Sequence, residues 1–93
     1  MINAACEVFG VDKTMIFSNS QERRLSVARG AIVLHAQESG ISLEEIAKVL
    51  ARDGSTISSL KRRFLAKYSH CDVLQQQVKK LREKAHQLAD LQA

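Results

Sequence analysis

The side chains best suited to chemistry in this sequence are small hydroxyl residues followed closely by cations. Serine and threonine hydroxyls bond to phosphate oxygens and to base edges, while lysine and arginine neutralise phosphates. At helical spacing these residues share one face once the apolar Ile57 and Leu60 are turned inward. The pattern favours a surface that contacts nucleic acid, formed by Ser55, Thr56, Ser58, Ser59, Lys61, Arg62 and Arg63.

Positive charge is concentrated in the same segment. Residues 54–68 hold Lys61, Arg62, Arg63 and Lys67 and no acidic residue, which equals the whole formal net charge of +4. Localised basic charge of this kind favours an anionic partner, most often nucleic acid. A solvated helix face is the alternative interpretation of such a run taken alone.

Other kinds of chemistry have little support in the sequence. Phosphate-loop, dinucleotide-binding, HExxH and GxSxG motifs are all missing, so we expect no enzyme and no catalytic residue. Three histidines without ligand spacing and two cysteines in no paired motif predict no metal, no cofactor and no disulfide framework. Unpaired cysteines suit a reducing compartment, so we expect a cytoplasmic protein. The residues are His35, His70, His86, Cys6 and Cys71.

The composition indicates one all-α domain. The 93 residues are 45% hydrophobic and 26% charged, with four glycines and no proline, and a β sandwich or barrel needs more turn residues than that. Apolar residues recur with the helical period throughout. The longest apolar run, residues 31–34, is far too short to span a bilayer, so no membrane partner is expected.

The elements that position the polar and basic run are five to six helices. Ser42 and Glu45 form a capping box at the start of a short amphipathic helix, and Asp53 is placed to cap the next one. The predicted helices cover 3–9, 11–17, 21 or 22 to 39, 43–50, 54 or 55 to 68, and a long final helix after Asp72.

The central pair of helices has the plan of a helix-turn-helix. A helix of about nine residues, a compact turn over 51–54 and a second helix with a basic half place the second helix to recognise DNA. Ala47 supplies the small side chain needed where the two helices cross. We therefore divide the chain into a helix-turn-helix domain over 1–68 and a C-terminal helix over 69–93.

The C-terminal helix permits two interpretations. Its apolar residues alternate in spacings of four and three, a little over two heptads. This stripe either packs on its own domain or forms a homodimer contact, and a dimer would fit half-sites one turn apart on DNA. The stripe consists of Leu74, Val78, Leu81, Ala85 and Leu88.

The order of several short motifs resembles a known family. From Ala5 to Phe64 the chain is similar to the C-terminal DNA-binding domain of the bacterial replication initiator DnaA, which has a helix-turn-helix like that of the Trp repressor. It also resembles the C-terminal domain of some transposases that act on repetitive elements. The similarity rests on residues 7–11, 17–18, 23–24, 26–29, 41–47 and 52–56.

The resemblance implies roles for individual residues. Arg23 would enter the minor groove from the basic loop near 20–29, with Arg24 or Arg29 on phosphate. Asp53, Ser55 and Thr56 would match the contacts made by the start of the family's recognition helix.

Three departures favour the transposase-associated branch over the initiators. Gly54 stands where the initiators have a base-reading histidine, and Leu25 stands where they often have an arginine. The stretch between Arg29 and Ser42 is also shorter than theirs. The initiator's own DNA box is therefore not the expected target.

The leading hypothesis is sequence-specific binding of double-stranded DNA by a module related to a transposase or a replication initiator. Its recognition helix spans about 54–68, and no small-molecule substrate is expected. The alternative is a helical protein-interaction or dimerisation module without a nucleic-acid role.

Overall fold

Six helices follow one another in the computed structural model, which describes residues 2–18, 20 and 22–92, with side chains up to residue 86. No strand occurs in those ranges, so the prediction of an all-α fold with five to six helices is confirmed. The helices are α1 (Ile2–Phe9), α2 (Lys13–Ile16), α3 (Arg23–Glu38), α4 (Leu43–Leu50), α5 (Gly54–Tyr68) and α6 (Asp72–Gln92).

Capping side chains define the starts of α4 and α5. The Ser42 hydroxyl accepts a hydrogen bond from the Glu45 amide at 3.3 Å, and the Asp53 carboxylate accepts one from the Thr56 amide at 2.7 Å. Each oxygen satisfies one of the free amides of a first helical turn. The Ser42 and Asp53 side chains therefore cap their helices as predicted, whereas the return bond of the capping box, from the Ser42 amide to the Glu45 carboxylate, is not formed.

The start of α3 differs from the prediction. The helix begins at Arg23, one or two residues late, and Glu22 before it makes no side-chain cap. Its far end is as expected, because Gly40 has φ +89° and the Ile41 amide donates to the Ala36 carbonyl at 3.0 Å. A left-handed residue of this kind closes a helix, and glycine adopts that conformation at little cost.

A three-residue turn joins α4 to α5. Ala51 has the left-handed conformation, with φ +55°, and the Arg52 amide donates to the Ala47 carbonyl at 3.0 Å. This closure reverses the chain within residues 51–53, so that α5 starts at Gly54.

The core surrounds α3. Leu25, Ala28, Ala31 and Val33 are completely buried there, and α3 packs most extensively on α5. Helices α1 and α6 also pack on α3, and α4 contacts both α3 and α5. The position and orientation of α5 therefore depend on its packing against the buried side of α3.

The described part of α6 packs on its own domain. Leu74, Val78 and Leu81 are buried in the same cluster as the core residues of α1, α3 and α5. The Lys84 ammonium lies 2.9 Å from the Glu7 carboxylate, an exposed contact between α6 and α1 that adds little to this packing. Of the predicted stripe, Ala85 is half-buried, and the Leu88 side chain lies outside the described residues.

None of the helices that the structure describes combines the length and apolar character needed to cross a membrane.

Candidate nucleic-acid interface

The outward face of α5 carries the predicted polar residues. Ile57 and Phe64 are buried and Leu60 packs against the core, which leaves the polar side chains of α5 on the outward side. Ser55, Thr56, Ser58, Arg62 and Arg63 are exposed, and Ser59 and Lys61 are half-buried. The face has no acidic residue anywhere along α5, so its cations are not neutralised from within the helix.

Asp53 acts within the turn as a cap. Its carboxylate accepts hydrogen bonds at 2.7 Å from the Thr56 amide and at 2.7 Å from the Ser55 hydroxyl. These hydrogen bonds lower the pKa of the Asp53 carboxyl, and the bond from the Thr56 amide has the largest effect. Asp53 is thus a fixed anion, and the Ser55 oxygen keeps its lone pairs free to accept from a ligand.

Two exposed arginines open α3 beside the loop. Arg24 lies 3.9 Å from the Glu22 carboxylate, a long contact between two exposed side chains. Such a surface pair contributes little. Arg23 makes no ion pair with any residue in the described ranges. Both cations therefore remain available to an outside anion.

Arg29 has a different environment from the one that the resemblance implied. It is 3% exposed, and its guanidinium donates to four backbone carbonyls, two at the end of α2 and two in the loop before α3. Burial, followed by the nearby Arg52, lowers its pKa. The Arg29 side chain organises the loop before α3 and is not free to lie on a phosphate at the surface. Its acceptors are Met15 at 3.0 Å, Ile16 at 2.9 Å, Ser18 at 2.9 Å and Ser20 at 2.7 Å.

Arg52 is a site residue that the sequence reasoning missed. From the α4–α5 turn it also donates to the Ser18 carbonyl, so that two arginines from different elements hold one loop residue. Its place in the turn was visible in the sequence, but its partner lies 34 positions away along the chain. Arg52 reaches Ser18 only because α4 and α5 both pack on α3, which follows the Ser18 loop.

A polar pocket of about 360 Å³ lies between the loop before α3, the first two turns of α3, the α4–α5 turn and the first three turns of α5. We call it the arginine pocket. Among the residues that the structure describes, no carboxylate lines this pocket, and Leu60 is the one apolar residue of its wall. Its remaining lining consists of Arg29, Arg52, Arg63, Ser20, Ser26, Ser55, Thr56 and Ser59.

The structure thus divides the predicted site residues into groups. Arg29, Ser55, Thr56, Ser59 and Arg63 meet in the arginine pocket, together with residues that the prediction did not include. The other predicted residues lie outside that lining. They are Arg23, Arg24, Asp53, Ser58, Lys61 and Arg62.

In the ranges that the structure describes, no three His, Cys, Asp or Glu side chains come together in a way that could hold a metal ion. Comparisons with protein-family models, curated proteins and solved structures gave no match for this chain.

Proposed function

We propose that this chain binds double-stranded DNA in a sequence-specific manner, with α5 as the recognition helix in the major groove. One observation carries the proposal: the acid-free polar face of α5 is continuous with the arginine pocket and its loop. Hydroxyl groups at the start of a helix and cations two turns later are the arrangement that a helix-turn-helix presents to DNA.

Each part of the surface has a separate task in this proposal. Ser55 and Thr56 contact base edges, and Arg62 lies on the phosphate backbone. Arg23, at the loop end of α3, enters the adjacent minor groove, where a narrow A·T-rich groove attracts a guanidinium most strongly. The motif order described above supports an origin in a transposase-related or initiator-related protein, and the two free cysteines fit the cytoplasm.

Salt dependence tests the proposal against the alternative of a helical protein-interaction module. A preferred duplex is first selected from random sequences, and its affinity is then measured at several salt concentrations. With about four to six phosphate contacts, affinity should fall by orders of magnitude between about 50 and 200 mM salt. If no duplex is bound at low salt, the protein-interaction module is the better account.

Four variants separate specificity from affinity on the preferred duplex and on a scrambled one. Ser55→Ala and Thr56→Ala are each expected to cost about 1–3 kcal/mol on the preferred duplex and little on the other. Arg62→Ala is expected to weaken both alike and to lower the salt slope by about one. Arg23→Ala is expected to behave like the two hydroxyl variants. Silence of Ser55→Ala and Thr56→Ala on both duplexes would mean that α5 does not contact bases through its first turn.

A further inference from the structure

We infer that the arginine pocket is a binding site for a single phosphate group, and that in the proposed complex it receives one backbone phosphate of the duplex. The inference rests on the proposed function for the source of the phosphate. The presence of an anion site rests on the pocket alone.

The positive charge of the arginine pocket is not balanced by any carboxylate among its described lining residues. Arg29, Arg52 and Arg63 line one pocket to which no carboxylate contributes. Arg52 is close enough to Arg29 to lower the pKa of that buried guanidinium. Like charges held together in a partly buried site repel each other. A bound anion attracts each of these arginines and so offsets the repulsion between them. An anion is therefore bound more strongly by this pocket than by a single arginine in solvent.

Asp53, the acidic residue of the adjoining turn, does not supply that anion. Its carboxylate is occupied at the start of α5, where it accepts from the Thr56 amide and the Ser55 hydroxyl. It is not among the residues that line the pocket. The positive charge of the pocket is left to an external ligand.

Two of the three pocket arginines have hydrogen-bond donors available for a ligand. A guanidinium has five N–H groups, and Arg29 commits its own to four backbone carbonyls. Arg52 makes one bond, to Ser18, and Arg63 makes none with any residue in the described ranges. Arg52 and Arg63 therefore come from two different elements with donors to spare, and arginine forks suit phosphate oxygens.

Size and polarity define the class of ligand. Pockets for organic ligands are usually lined by apolar and aromatic side chains, whereas this one has arginines and hydroxyls around a single leucine. A volume of about 360 Å³ accommodates one phosphate group with several waters. The pocket also lies between α5 and the beginning of α3, where Arg23 is the first residue, so in the proposed complex a strand that passes from the major to the minor groove places a phosphate there.

The first experiment uses inorganic phosphate without DNA. Binding of phosphate to the full chain is measured by ³¹P NMR titration and by the rise in Tm, with chloride at equal ionic strength as the reference. The test variant is Arg63→Met, and the matched control is Arg62→Met, which removes the neighbouring exposed charge outside the pocket. We expect phosphate affinity to fall at least about tenfold in Arg63→Met, the size of one lost charge-assisted hydrogen bond, and to stay within about twofold in Arg62→Met.

The second experiment repeats the comparison with the preferred duplex. Arg63→Met is expected to weaken duplex binding at least about fivefold more than Arg62→Met, because it removes a pocket contact as well as a charge. Phosphate binding that is absent, or equally lowered in both variants, overturns the phosphate site even if the wild type binds duplex. Phosphate binding that depends on Arg63 without any duplex binding at low salt overturns the DNA source and the proposed function, and it supports a site for free phosphate.

Discussion

At the scale of single residues, three neighbouring arginines show that one residue type takes two roles in this protein. Arg23 and Arg24 are exposed, and Arg29, less than two turns further along α3, is buried. The buried guanidinium takes the place of water at four backbone carbonyls, two of which also accept from other groups: Met15 from Ser18, and Ser18 from Arg52. Burying a cation is costly unless its donors are satisfied, and here four carbonyls satisfy them.

Replacing Arg29 should therefore destabilise the fold. Arg29→Met keeps the apolar stem but removes one donor from each of four carbonyls, of which those of Met15 and Ser18 keep a second donor. Hydrogen bonds to charged groups contribute about 1.5–3 kcal/mol each. We expect the free energy of unfolding in urea to fall by at least about 2 kcal/mol. Arg24→Met is the matched control and should change it by no more than about 0.5 kcal/mol. Equal effects of the two variants would show that the buried hydrogen bonds contribute nothing.

At the scale of the helices, the most extensive contact is that of α3 with α5, and it includes a very tight approach at Gly30. A Cβ atom on Gly30 would lie 2.6 Å from the Phe64 Cβ and 2.9 Å from its Cγ, distances that no packed side chain tolerates. The missing side chain lets α5 lie against α3, and Phe64 also stacks on Tyr68 with ring centroids 5.8 Å apart. The position of the outward face of α5 thus depends on a glycine in another helix.

Gly30→Ala tests this contact. Alanine favours a helix interior over glycine by about 1 kcal/mol, but overpacking a core costs about 1–3 kcal/mol. Because the obstacle is the Phe64 Cβ and not the end of a flexible chain, we expect the overpacking cost to prevail and Tm to fall.

Gly54→Ala is the control for Gly30→Ala. Nothing lies within 4 Å of the Cβ that it adds, so propensity alone should act and Tm should stay constant or rise. A Gly30→Ala protein at least as stable as the wild type would mean that α3 and α5 can move apart freely.

At the scale of the whole molecule, α6 belongs to the core of the domain. The predicted boundary at residue 69 separates segments whose side chains share one buried cluster, because Leu74, Val78 and Leu81 join residues of α1, α3 and α5. The Arg82 Nη2 atom donates to both carboxylate oxygens of Glu38, at 2.8 and 2.7 Å, and this contact links α6 to the end of α3 on the surface. These three apolar residues are therefore not available as a dimer seam unless the domain opens.

Leu81 variants distinguish a core helix from a dimer seam. Leu81 is fully buried, and Leu81→Ala is expected to cost about 2–5 kcal/mol of unfolding free energy. Val73→Ala, at a residue 67% exposed on the same helix, should cost far less. We expect Leu81→Glu to unfold by circular dichroism. A folded, monomeric Leu81→Glu beside a dimeric wild type in sedimentation would contradict this and support the homodimer interpretation.

Local interactions explain why much of this architecture was predictable from the sequence. A helix and its ends are determined by residues three or four positions apart, so the 3.6-residue period, the Ser42 and Asp53 caps and the break at Gly40 could be recognised. The inward side of α5 follows from the same period, which is why its polar face was also predicted. The late start of α3 was not, since Glu22 gives that helix no capping side chain.

The tertiary structure decided what the exposed and buried cations do. Arg29 and Arg24 look alike in the sequence, and only the packing of α3 against the loop buries one of them. The bond between Arg52 and Ser18 joins residues 34 positions apart, and the arginine pocket collects side chains from the loop, α3, the turn and α5. The helical period does not predict these long-range contacts. They depend on how closely Gly30 lets α5 pack on α3 and on the direction in which the chain leaves α4 at Ala51. The sequence by itself thus determined which helices form and which residues face outward, while long-range packing determined which of those residues share a site.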